Sequence, residues 1–132
     1  KYMKLAFKEA EKSINTGDVP VGAVIVENGK VISKAHNTKE KNKIVTRHAE
    51  INAVEKACKK KQGWYLNQCE MYVTLEPCKM CMGAIEHARI KKIIYAAPRD
   101  KKDTLKIPEK IQGEGLQKSQ EILKNFFENK RK

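Results

Sequence analysis

Apolar side chains at Met3, Ala6, Phe7, Ala10 and Ile14 recur with the 3.6-residue period of a helix, and Gly17-Asp18 ends the run. Val19 to Val26 is then nearly continuous apolar sequence of strand length. Asn28-Gly29, a pair that tolerates the two positive φ angles of a tight hairpin, separates it from Lys30 to Ala35, which reads as the returning antiparallel strand. The polar, Lys-rich stretch from His36 to Thr46 keeps neither period and is predicted to be a loop. Helical spacing resumes from His48 to Lys60, with Ile51, Val54 and Cys58 on one face. Cys69 to Leu75 has the composition of a third strand, and Pro77 suits the first turn of a helix reaching about Ala88. Lys91 to Ala97 gives a fourth strand, and Ile122, Leu123, Phe126 and Phe127 mark a last helix over about Leu116 to Asn129. Strands alternating with helices predict an α/β layer protein with helices on both faces of the sheet.

That pattern places two groups of chemically capable residues at helix starts. His48-x-Glu50 opens one helix, and Pro77-Cys78-x-x-Cys81 opens another. One imidazole and two thiolates form a ligand set that tetrahedral Zn²⁺ accepts, and two cysteines three apart grip one ion from a single turn. Three protein ligands leave the fourth position open to water, the arrangement of a catalytic zinc; a structural zinc is closed by four side chains. Glu50 adds a carboxylate that the metal does not need. Hydrolysis of an exocyclic amine requires protons to leave the attacking water and to reach a ring nitrogen and the departing ammonia, and one carboxylate beside the metal can carry each in turn. The positive ends of the two helices favour thiolates and carboxylate alike. Cys58, Cys69, His36 and His87 are the available fourth ligands for a closed structural site, and none has the spacing for it.

At 132 residues the chain is long enough for one domain with a single core, residues 1–132, and no apolar run is long enough to cross a membrane. Four cysteines in a Lys-rich sequence that opens without an apolar leader point to a reducing, cytoplasmic setting, where Cys58 and Cys69 are expected in the core. The net charge of +12 suggests an anionic partner, nucleic acid above all. Its makeup, 24 Lys against 4 Arg, is poorly suited to forked phosphate recognition, and Lys59-Lys60-Lys61 and Lys130-Arg131-Lys132 also fit solvated helix ends.

Beyond the metal ligands, several segments resemble the cytidine-deaminase-like superfamily, and within it the bacterial tRNA-specific adenosine deaminases. They are Val19-Pro20-Val21-Gly22-Ala23-Val24-Ile25-Val26, Asn37, Tyr72-Val73-Thr74-Leu75-Glu76-Pro77-Cys78, Gly83-Ala84-Ile85-Glu86-His87-Ala88-Arg89-Ile90 and Asn125-Phe126-Phe127. The resemblance implies a three-layer α/β/α fold around a mixed sheet of about five strands. It implies hydrolytic deamination of adenosine to inosine at the wobble position of an anticodon, with His48, Cys78 and Cys81 on zinc and Glu50 as proton shuttle. Asn37 and the backbone N–H of Ala49 would hold the base. Of Phe126 and Phe127, one is expected to pack inward and the other to reach the RNA, where stacking is available. The resemblance further implies a homodimer acting on a base flipped from a single-stranded anticodon loop. On spacing alone Asn37 reads as a loop residue bonding its own backbone, the commoner fate of Asn after a strand.

Two departures stand out. Val45-Thr46-Arg47 before His48 resembles the catalytic subunit of the eukaryotic heterodimeric tRNA deaminase. Between Ala97 and a last strand around Ile107 to Gln112 only about ten residues remain, so a parallel fifth strand is expected to be hard to connect, leaving that segment reorganised or lacking residues. The alternative function is deamination of a free base or nucleoside, guanine or cytosine, at the same zinc. A non-catalytic tRNA-binding subunit is a third reading, disfavoured because such subunits commonly lose the shuttle carboxylate and Glu50 is present.

Overall fold

A computed structural model of the chain describes residues 1–105 and 109–130. Helix α1 (Tyr2–Ile14) leads into strands β1 (Gly22–Glu27) and β2 (Lys30–His36), joined at Asn28 and Gly29, whose φ angles of 49° and 78° are those of the primed hairpin turn. A four-residue helix α2 (Lys39–Asn42) sits inside the segment predicted to be a loop. Helix α3 (Ala49–Lys61), β3 (Cys69–Leu75), α4 (Lys79–His87) and β4 (Lys92–Ala97) follow, then a 3₁₀ turn (Lys101–Asp103), β5 (Glu109–Gln112) and α5 (Leu116–Lys130).

The five strands form one mixed sheet in the order β2-β1-β3-β4-β5. β1 is antiparallel to both neighbours, whereas β3, β4 and β5 are mutually parallel. Consequently β2, β3 and β4 all point the same way, and their C-terminal ends share one edge.

Period-two alternation sorts the strand residues between two cores. Ala23, Ile25, Met71, Val73 and Ile93 face α3 and α4; Val24, Val26 and Ala96 face α1, and Ile122 of α5 packs against that second core. This is the expected three-layer α/β/α arrangement. Against the sheet α3 presents an alanine stripe, Ala49, Ala53 and Ala57, all fully buried. The expected apolar face of Ile51, Val54 and Cys58 is only partly buried, because small side chains let the helix axis approach the strands and turn the larger ones to its flank. Cys69 is in the core as expected, while Cys58 is half-exposed. At Gly22 the approach of α1 is closer still: a Cβ there would lie 1.9 Å from the Ala6 carbonyl oxygen.

A parallel fifth strand, expected to be hard to connect, is present as a short edge strand. β5 pairs with β4 in register from Lys92↔Glu109 to Tyr95↔Gln112. Among the described residues the connection holds one 3₁₀ turn, tied down by Glu76, which is buried ahead of Pro77. Glu76 accepts from the Arg99 backbone N–H at 3.0 Å and from Lys110 Nζ, and Thr104 Oγ1 donates to the Pro77 carbonyl at 2.8 Å. Ile107, within the predicted strand, lies outside the described residues, as do Arg131 and Lys132 of the terminal basic run.

Candidate active site

Two helix starts bring the sequence motifs together at the shared edge of β2, β3 and β4. His48 is the N-cap of α3 and Cys78 the N-cap of α4, both in extended conformation, so their side chains leave the helices at the turn. His48 Nδ1 lies 3.7 Å from Cys78 Sγ and 3.5 Å from Cys81 Sγ. Metal–sulfur and metal–nitrogen bonds of about 2.3 and 2.1 Å at a tetrahedral angle require an S···N separation of about 3.6 Å, so the three atoms are spaced to hold one ion. Among the described residues no fourth His, Cys, Asp or Glu completes the group: Cys58, Cys69, His36 and His87 all lie outside it.

The electrostatics of the set follow from crowding. Hydrogen bonding from Cys81, with His48 adding to it, lowers the Cys78 pKa to about 3 and holds it as thiolate. The Cys81 thiol is pushed up by its hydrogen bond to Cys78, by burial and by Glu50. His48 is raised chiefly by its hydrogen bond to Cys78. Two protons, held on Cys81 and His48 beside the Cys78 thiolate, are thus gathered where one cation can replace them. Glu50, in the first turn of α3, is only 3% exposed, and burial raises its pKa above the usual carboxylate range. A carboxylate whose proton affinity is raised in this way is suited to take up a proton and return it.

A cavity of about 370 Å³ opens over these residues, a size in the range of small-ligand pockets. His48, Ala49 and Glu50 form its floor, and Val19, Val21 and Leu75 its apolar walls. Asn37 is buried at its side. The Asn37 Oδ1 accepts from the Lys39 N–H at 3.0 Å, and its Nδ2 donates to the Val19 carbonyl at 3.1 Å. The local backbone-bonding role and the position in the cavity therefore coexist, and each amide atom keeps one further hydrogen-bonding site. Phe126 is buried, whereas Phe127 is 46% exposed and lines the cavity together with Leu123.

Three features escaped the sequence reading. Lys39 and Arg99 both line the cavity, and neither sits in a motif. Arg47 grips Glu55 through two hydrogen bonds of 2.8 and 2.6 Å and bonds Asn52, whose side-chain amide in turn holds the His36 carbonyl. That chain of contacts fixes the segment bearing Asn37 to α3. Asp18, fully buried, does the same from the other side by accepting from the Glu40 and Lys41 N–H groups. An Arg directly before the ligand His, with Glu eight positions on, is the one signal that could have pointed to the first of these anchors.

Comparison with known proteins agrees with this geometry. A profile of the MafB19-like deaminases matches residues 1–131. A tRNA-specific adenosine deaminase of Aquifex aeolicus (strain VF5) is 41% identical over 143 aligned positions, 98% of this chain and 94% of that protein. A Bacillus subtilis (strain 168) protein of the same name is 46% identical over 96 residues, 73% of this chain and 60% of that protein, so the match spans less than two thirds of that relative. A solved structure from a study of A-to-I editing by tRNA:A34 deaminases at the wobble position of transfer RNA is 41% identical, with a TM-score of 0.74 over 78% of both chains. The X-ray structure of guanine deaminase from Bacillus subtilis is 40% identical, with a TM-score of 0.70 over 74% of this chain and 62% of that one. The chain belongs to the MafB19-like deaminase family, among the relatives named tRNA-specific adenosine deaminases.

Proposed function

We propose that this chain is a zinc-dependent hydrolase converting adenosine to inosine at the wobble position of a tRNA anticodon. The observation that carries the reading is the convergence of His48 Nδ1, Cys78 Sγ and Cys81 Sγ beneath a cavity whose floor also holds the buried Glu50. Zn²⁺ suits the donor set and spacing, and when bound it supplies the Lewis acidity that makes water nucleophilic at neutral pH.

Everything else falls to the chain's own residues. Glu50 takes a proton from the attacking water, whose oxygen bonds to the ring carbon bearing the amine. It returns that proton to the neighbouring ring nitrogen, then takes the remaining proton from the added hydroxyl and delivers it to the amine as the carbon–nitrogen bond breaks, leaving a carbonyl and releasing ammonia. Asn37 and the Ala49 N–H, which as a first-turn donor has no intrahelical acceptor, orient the base. Val19, Val21 and Leu75 exclude water around it, and Phe127 offers an aromatic face at the rim. The reading extends to a homodimer, supported by the exposed Trp64 and the shallow apolar cavity it lines with Val54, Cys58 and Ala84 along α3 and α4; sedimentation of the zinc-loaded protein tests this.

A second reading, deamination of free guanine, is favoured by the 40% identity to the guanine deaminase structure. Incubating the zinc-loaded protein with a tRNA bearing a wobble adenosine, and separately with guanine, cytosine and adenosine, separates the two. Inosine in the tRNA is expected; ammonia from a free base alone would overturn the tRNA reading. Glu50→Ala should abolish turnover while one zinc per chain stays bound and shields Cys78 and Cys81 from alkylation. Persisting turnover would remove Glu50 from its role.

A further inference from the structure

The tRNA reading leaves unexplained why a cavity for a neutral base carries two cations. Besides His48 and Glu50, the charged residues lining it among those described are Lys39 and Arg99. Free guanine, cytosine and adenosine bear no charge that would call for either. A nucleotide within a strand carries a phosphate on each side.

Both cations are held as a reader of phosphates requires. Lys39 opens α2, its backbone fixed by Asn37 and the helix by Asp18, while its exposed ammonium makes no ion pair among the described residues. Arg99 is partly committed: Nε donates to the Glu76 carbonyl at 2.8 Å and Nη1 to Asp103 at 3.0 Å. Its Nη2 has no partner among the described residues, and the side chain is 25% exposed. Such bracing pre-orients the guanidinium plane and leaves donors for an anionic oxygen. Lys39 follows β2 and Arg99 follows β4, and these strands end at the same edge of the sheet, three strand spacings or roughly 14 Å apart. The two side chains therefore reach the cavity from opposite sides.

We propose that Lys39 and Arg99 bind the backbone phosphates flanking the target nucleotide and so select a base carried in a nucleic-acid strand over a free base. This rests on the tRNA reading and goes beyond it by assigning the residues that enforce it. The +12 charge of the chain is then not uniform solvation: two of its cations have a defined task.

The test uses the zinc-loaded Glu50→Ala protein, which holds substrate without turnover, and a labelled RNA hairpin with an anticodon loop bearing the wobble adenosine. Affinity is followed across salt concentrations. Lys39→Gln and Arg99→Gln should each weaken binding about tenfold at low salt, and each should flatten the slope of log affinity against log salt by about 0.7. Arg99→Lys and Lys39→Arg should restore the slope, a result that a purely structural role for Arg99 would not produce. Replacing the two flanking phosphates by methylphosphonates should cost the parent about a hundredfold, the two single losses combined, and the double variant nothing more. Unchanged affinity and slope in both glutamine variants, with the parent binding the hairpin, would overturn the proposal. Should the parent ignore the hairpin, the tRNA reading falls, and adenosine 5′-monophosphate compared with adenosine decides the pair. A preference for the phosphorylated form that Arg99→Gln abolishes sustains phosphate reading, and equal binding overturns it.

Discussion

Replacing Glu76 by Gln removes one negative charge from a site with no solvent exposure. Its carboxylate faces the Lys110 ammonium, itself only 12% exposed, and accepts from the Arg99 N–H. Burial alone would raise the Glu76 pKa, but the Lys110 and Arg99 hydrogen bonds outweigh it and hold the carboxyl below its ordinary value of 4.5. Without the carboxylate, Lys110 is left as a nearly buried, unpaired cation. Breaking such a pair costs about 3–5 kcal/mol, and the lower end applies because the Lys stem retains a path to water. For a chain of this length about 3 kcal/mol corresponds to a melting-point drop of about 10 °C.

Guanidinium denaturation at fixed zinc loading measures this, with an unchanged m-value showing that stability alone has moved. Lys110→Met should cost less, because Glu76 keeps the Arg99 N–H, and the double variant should be at least about 2 kcal/mol more stable than the sum of the singles predicts. The acid limb gives an independent reading. A depressed carboxylate contributes stability present above pH 4.5 and lost as pH falls through its lower folded value, so Glu76→Gln should flatten that decline. A single-variant loss under about 1 kcal/mol, or additive singles, would refute the claim that this pair fastens the short crossover to the metal loop.

Gly22→Ala should destabilise the protein by about 3 kcal/mol or more, because the added Cβ meets backbone atoms of Ala6 and Ala10 that cannot yield. Gly83→Ala, in the middle of α4 with open space around it, should instead gain about 0.5–1 kcal/mol in the same denaturation assay. His36 is held below its ordinary pKa of 6.5 by burial, with Lys12 and Lys56 adding to the effect and Glu9, 3.5 Å away, opposing it. A lowered folded pKa makes stability full above pH 6.5 and declining below it, so the denaturation midpoint should fall between pH 7.5 and 5.5; a His36→Gln variant with the same fall would assign it elsewhere.

What the sequence discloses depends on the range of the interaction. The hairpin is legible because Asn28 and Gly29 determine their own φ angles. The metal set is legible because a ligand at a helix start has its direction set by a few neighbours. By contrast, Glu76 and Lys110 are distant in sequence and meet only once β5 has paired with β4. Lys39 and Arg99 likewise read as two lysine-rich loops until the sheet order places both strand ends at one edge. On α3 the larger apolar residues Ile51, Val54 and Cys58 pack against the core only in part, for another reason. Periodicity ranks side chains by size, whereas close packing against the sheet selects the small ones, Ala49, Ala53 and Ala57.

This division has a consequence for how the site can vary. His48, Glu50, Cys78 and Cys81 stand on two helix starts backed by fully buried core, so their geometry is costly to disturb. Asn37, Lys39, Arg99 and Phe127 come from a loop, a short helix, a crossover and the last helix, the first three anchored through Asp18, Arg47 or Glu76. Changes at the rim can alter which base carrier enters without moving the reacting atoms where the anchor stands away from the metal ligands, as Asp18 does. Glu76 and Arg47 are not so separated. Glu76 braces Arg99 and directly precedes Pro77-Cys78, and Arg47 directly precedes His48, so substitutions at either should disturb substrate binding and metal affinity together, whereas Asp18 variants should affect substrate binding alone.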